Sequence, residues 1–176
     1  MKLFRKRDFI TVGFILIFSA AAVYMFYVIL KPIEVLPIYQ PAEVNEKLVD
    51  SSIIHVAKYH KISDFNLTNQ NGKEITQANY KDKIYVADFF FTTCQDICPG
   101  MTKNMYQLQE ELKNDNEILL LSHTVIPEVD TVEQLKDYAM EDNVDDSKWN
   151  LLTGAKKQIY ELASKSYLAV EDSNFN

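Results

Sequence analysis

Hydrophobic and polar positions divide this chain into three stretches. The run from Phe9 to Leu30 carries no charge. As a helix it would be about 33 Å long, enough to cross the hydrocarbon core of a bilayer. Residues 31–58 show little helical or strand period and are punctuated by Pro32, Pro37 and Pro41, which predicts a tether. From Tyr59 onward strand-like and helical patterns alternate. Residues 64–76 predict a hairpin, with Asn71-Gly72 as its turn. Residues 84–91 are apolar on both faces apart from Asp88, the pattern of a central strand. Residues 99–113 place Met101, Met105, Leu108 and Leu112 on one helical face. Residues 118–123 predict a second buried strand, and residues 131–141 a helix capped by Asp130 or Thr131. Trp149 to Leu152 is a short apolar run; residues 155–166 predict a third helix after Gly154, and residues 167–170 an extended piece. This order predicts one α/β sheet with helices on both faces. The domain plan is a basic N-terminus over 1–8, a transmembrane anchor over 9–30, a tether over 31–58 and one domain over 59–176.

The only cysteines are Cys94 and Cys98, in Cys94-Gln95-Asp96-Ile97-Cys98-Pro99, directly after the strand-like run. Random scatter would place two cysteines four apart on the order of one time in a hundred. The predicted geometry is strand, short loop, helix start, at the carboxyl end of a sheet strand where open α/β sheets put their sites. Free N–H groups and the positive end of the helix dipole favour a thiolate there, and only thiolates attack disulfides or bind metals. Pro99 has no N–H to lose at a helix start. Residues four apart face the same way on a helix, so the two sulfurs could converge on a soft ion such as Cu(I) or Zn, or form an internal disulfide. The competing reading is a pair of inert structural cysteines.

Charge changes the picture in two ways. Lys2, Arg5, Lys6 and Arg7 precede the apolar run. The positive-inside rule then predicts a cytoplasmic N-terminus, a single pass and an exported domain, periplasmic or extracytoplasmic. Ser19-Ala20-Ala21-Ala22 resembles a signal-peptide cleavage site, but the apolar run continues to Leu30, which favours an uncleaved anchor. Export permits disulfides. The formal net charge is −7, which argues against nucleic acid as a partner.

From about Tyr59 to Val170 the chain resembles the Sco/SenC family. The residues that carry this are Phe91-Thr92-Thr93 before the C-x-x-x-C-P loop, Pro127-Glu128-Val129-Asp130-Thr131, Trp149-Asn150-Leu151-Leu152-Thr153-Gly154 and Tyr167-Leu168-Ala169-Val170. The resemblance implies a thioredoxin-like fold on one N-terminal anchor. It also implies delivery of copper, as Cu(I) and in a second state Cu(II), to the cytochrome c oxidase subunit that carries a copper site. The implied site is two cysteines and a downstream histidine; Cys94 and Cys98 match the cysteines. No residue before Asn176 matches the histidine, and the family's last hairpin and C-terminal helix are absent, so the chain is expected to be a fragment. Ile126 stands where the family usually has aspartate, and Thr93 and Gln95 replace a common His and Pro.

The other candidates are weaker. His123 ends the strand beside the cysteine-bearing one and is expected near the site, as an ordinary hydrogen-bonded residue more often than a ligand. His55 and His60 carry no spacing signal, and Met101 and Met105 are expected in the core. Asp88 needs partners that the sequence does not name. Beside the metallochaperone stands a second function, an exported thiol–disulfide oxidoreductase with Cys94 attacking and Cys98 resolving. A peroxidase is disfavoured because no Arg follows Arg7.

Overall fold

The structure, a computed structural model, describes residues 6–31, 37–45 and 49–169. Lys2, Arg5, Pro32 and Val170, which entered the readings above, lie outside the described residues. Two compact units result, Met1–Ile38 and Tyr39–Asn176. The first contains helix α1, Lys6–Leu30. Within it, Val12–Leu30 is long and apolar enough to cross a membrane.

The second unit is a five-stranded mixed sheet. In chain order its elements are β1 (Asn66–Asn69), β2 (Glu74–Thr76), β3 (Ile84–Phe90), α2 (Cys98–Glu111), β4 (Ile118–Thr124), α3 (Val132–Glu141), β5 (Trp149–Thr153) and α4 (Lys156–Glu161). The spatial order is β2-β1-β5-β4-β3. Strands β3, β4 and β5 are parallel, and β1 runs antiparallel to both β5 and β2. The hairpin turn closes where it was expected: Gly72 has φ of 73°, a conformation that costs glycine little. Gly154 marks a close approach. A Cβ there would lie 2.7 Å from Leu67 Cδ2, so a side chain at this position would push the buried Leu67 aside.

Residue parity along β3 and β4 separates two cores. Val86, Phe90 and Leu120 pack with Met105 of α2, Leu135 and Ala139 of α3, and Trp149. Tyr85, Phe89, Leu119 and Leu121 pack on the other face with Phe65, Leu67, Ile159 and Leu162. Two stretches depart from the sequence expectation. Part of the supposed tether belongs to the second compact unit: Val49 is buried and Ala42 N–H donates to Val56 O at 3.0 Å. The third helix ends in a π-helical segment, Leu162–Ser166. After it Tyr167 keeps a helical conformation and Leu168 turns to φ 54°, so residues 167–169 are not extended. This widened turn lays the Tyr167 ring against Phe89, with centroids 5.7 Å apart; burial of an aromatic ring outweighs continued backbone pattern.

Candidate functional site

The parallel strands β3 and β4 end at the same side of the sheet, and their exit loops meet there. The first loop carries Cys94. It leaves β3 in a tight turn, with Cys94 N–H donating to Phe91 O at 3.2 Å. Cys98 then opens α2, followed by Pro99 at a position where no helical N–H is needed. Only Cys98 lies in the helix, so the two sulfurs do not meet by helical periodicity. They meet because the loop folds back: Cys98 N–H donates to Cys94 Sγ at 3.4 Å. No side chain caps α2; of its first amides Cys98 N–H goes to the sulfur, while those of Gly100 and Met101 donate to Ile97 O.

The pair is asymmetric. Cys94 is half-buried and Cys98 is buried; both are free thiols. The Cys98 thiol, together with the main-chain amides of Asp96, Ile97 and Cys98, holds the Cys94 pKa below its ordinary value. Desolvation, then the hydrogen bond donated to Cys94, pushes the Cys98 thiol up. Backbone donors therefore favour ionisation at Cys94, and burial disfavours it at Cys98. Among the described residues no group of three or more His, Cys, Asp and Glu side chains is placed to hold a metal.

The other sequence candidates fall elsewhere. His123 is fully buried, but it lies on the Leu121 face of β4, opposite the face that packs Cys98. Its ring sits among Phe65, Phe89 and Tyr167, with centroids at 6.1, 5.1 and 5.3 Å. Neither ring nitrogen has a hydrogen-bond partner, and desolvation lowers its pKa to about 4. The expectation of a hydrogen-bonded histidine near the cysteines is corrected on both counts. His55 is exposed; His60 Nε2 lies 2.9 Å from Ser166 O. Met105 is core, as expected, whereas Met101 is only half-buried.

Asp88 now has its neighbours. Ser122 lies beside its carboxyl group, whose Oδ1 has no hydrogen-bond partner, and burial raises its pKa. Ser122 Oγ in turn accepts the Trp149 indole N–H at 2.8 Å. Sequence reasoning missed a further residue. Of the two caps expected for α3, Asp130 or Thr131, it is Thr131 that takes the place, its side chain accepting Gln134 N–H. Asp130 turns inward to Thr92 and Thr124. The signal available was the placement of two threonines just past the apolar runs of adjacent strands.

The sequence from 55 to 174 matches the SCO1/SenC family model. The SCO1 protein homolog of Bacillus subtilis is 37% identical over 113 residues, covering 63% of this chain and 58% of that protein. The human mitochondrial SCO1 homolog is 28% identical over 124 residues, 69% of this chain and 40% of its own length. The chain thus spans roughly half the length of these curated relatives. Among solved structures, BsSco, a Sco-family cytochrome c oxidase assembly protein with a disulfide switch, matches at TM-score 0.58 and 37% identity. That match covers 63% of this chain and 66% of BsSco. Bradyrhizobium japonicum ScoI, solved with copper bound, matches at TM-score 0.54 and 26% identity, over 61% of this chain and 67% of its own. Matched along most of its length by the family model and by a thioredoxin-like Sco fold, the chain belongs to the SCO1/SenC family.

Proposed function

We propose that this protein is a membrane-anchored copper metallochaperone. It holds copper through Cys94 and Cys98 and delivers it to the copper-bearing subunit during cytochrome c oxidase assembly. The observation that carries the reading is the convergence of both cysteines at the uncapped start of α2, with Cys98 N–H on Cys94 Sγ. Two sulfurs are soft donors, and Cu(I) accepts low coordination numbers that Cu(II) does not. The relative solved with copper bound supports the metal. In this reading the amides around Cys94 hold the first thiolate ready, and Cys98 gives up its proton when copper arrives. Departure needs a partner whose own ligands replace the two sulfurs in turn. Helix α1 anchors the chain, with the basic N-terminus in the cytoplasm and the 59–176 domain on the exported side.

The opposite directions of the two cysteine pKa values favour a second use of the same atoms, thiol–disulfide exchange. The Cys94 thiolate would attack a partner disulfide to give a mixed disulfide, and Cys98, losing its proton, would displace the partner's second thiolate. The pair ends as a disulfide, oxidised by two electrons, and the partner's two sulfurs are reduced by two. Copper titration of the full chain in detergent tests the main reading. The reduced protein is expected to take up about one Cu(I), and the Cys94→Ser/Cys98→Ser variant and the oxidised protein almost none. Equal uptake by all three would remove the cysteine pair as the copper site.

A further inference from the structure

Asp130 is wholly buried, and neither the capping of α3 nor the cysteine chemistry accounts for it. It ends a wound loop in which the N–H groups of Val129 and Asp130 both donate to Ile126 O, at 3.0 and 2.9 Å. From there its carboxyl group reaches across to the neighbouring loop. Oδ1 accepts the Thr92 hydroxyl at 2.6 Å, and the Thr92 N–H is shared between Oδ1 and Oδ2 at 3.3 Å each. Oδ2 also accepts the hydroxyl of Thr124. Thr124 Oγ1 accepts Ile126 N–H at 3.1 Å, which leaves its hydrogen for Asp130. A buried carboxyl group is costly unless its oxygens meet donors, and here the donors are two threonines at the ends of adjacent strands.

The bonds are unevenly divided. Thr124 gives one and Thr92 gives two, one of them from the main chain. Thr92 stands two residues before Cys94, and the chain is pinned on both sides of it: Val125 N–H donates to Phe90 O at 2.9 Å, and Cys94 N–H donates to Phe91 O. A grip on both the side chain and the backbone of Thr92 fixes the direction in which the loop leaves β3. That direction decides where Cys94 Sγ sits relative to Cys98.

We propose that Asp130 is a positioning residue for the cysteine pair, acting through Thr92. The proposal rests on the reading that Cys94 and Cys98 are the working site. A purely structural Asp130 would tie the two strand ends together with no preference between its threonines. A positioning Asp130 works through Thr92 alone.

The full chain in detergent, as Thr92→Val, Thr124→Val and Asp130→Asn, separates the two. Two quantities are read on folded protein: Cu(I) affinity in competition with a chromophoric chelator, and the Cys94–Cys98 dithiol–disulfide equilibrium in a dithiothreitol redox buffer. Thr92→Val and Asp130→Asn are expected to weaken Cu(I) binding roughly tenfold, the scale on which losing an outer-shell partner acts, and to shift the disulfide equilibrium in parallel. Thr124→Val is expected to lower Tm and leave both readouts at the wild-type value. The proposal is overturned if Thr92→Val behaves as wild type in both, or if Thr124→Val loses as much as Thr92→Val. Should Asp130→Asn fail to fold, the threonine pair still decides. If the wild type takes up no copper, the copper reading fails while the disulfide equilibrium still tests the positioning.

Discussion

The two faces of the sheet each enclose a titratable side chain at neighbouring positions, and each leaves it short of hydrogen bonds in a different setting. Asp88 pairs in register with Ser122, and the next pair is Phe89 with His123. Asp88 lies on the face that packs α2 and α3, where Ser122 is its polar neighbour but its Oδ1 has no partner, and where Cys98 lies close enough to be raised by its charge. His123 lies on the α4 face, enclosed by three aromatic rings and without a hydrogen bond. Both carry a polar atom shut off from water without a partner, but only one face has thiols. Proximity along the chain to the end of a strand therefore says little about access to a site; the parity of the residue decides it.

The largest effect separates the faces by metal. Cys94→Ser and Cys98→Ser are each expected to weaken Cu(I) binding by more than about a hundredfold, beyond the 10–100-fold that loss of an outer-shell partner costs. His123→Phe is expected to leave the affinity unchanged, since an aromatic ring replaces it in an aromatic enclosure on the far face. Chelator competition on the three variants measures this. A hundredfold loss in His123→Phe would place copper on the wrong side of the sheet and break the comparison.

Much of this was legible in the chain because periodicity survives folding. The helices with Met105 and Leu135, the run of β3 and the Asn71-Gly72 turn follow from local pattern and turn chemistry alone. The sheet order was not legible. It depends on Thr68 meeting Thr153 and Asn69 meeting Leu152, contacts between distant segments that no window of sequence contains. The cysteine pair was visible by spacing, but the reason for its convergence was not, because the fold-back of the loop replaces the helical register assumed for Cys94. Parity already put His123 with Leu121; what it could not say was which face would receive α2. Asp130 and Thr131 stayed open as caps because Asp and Thr are both good N-caps, and only the depth of the loop chooses between them.

The second effect is on stability in acid. His123 has a folded pKa of about 4 against an ordinary 6.5. Between those values the unfolded chain binds more protons than the folded one, so His123 removes stability as pH falls below 6.5 and removes none above it. His123→Phe cannot take up that proton. The variant is expected to gain on the wild type by about 2 kcal/mol at pH 5 relative to pH 7. Denaturant melts of both proteins at the two pH values read this difference. A gap that stays constant with pH would mean that the ring finds a partner or water in solution.

The smallest effect has the opposite sign in pH and so completes the test. Burial raises the Asp88 pKa above its ordinary 3.8, against the hydrogen bond from Ser122. The folded state then holds its proton more tightly than the unfolded chain. Stability is lost as pH rises from the unfolded pKa through the folded one, and the full loss is present above it. Asp88→Asn keeps the shape and an oxygen able to accept from Ser122, but cannot ionise. It is expected to be more stable than the wild type at pH 7 by on the order of 1 kcal/mol, with the gain shrinking toward pH 4. The His123→Phe gain grows in that same direction. Melts of both variants across pH 4 to 7 should therefore give two difference curves that cross. Parallel curves would show that the faces do not differ in the charge they exclude. A loss of stability in Asp88→Asn at pH 7 would show that the ionised carboxylate has a donor beyond Ser122.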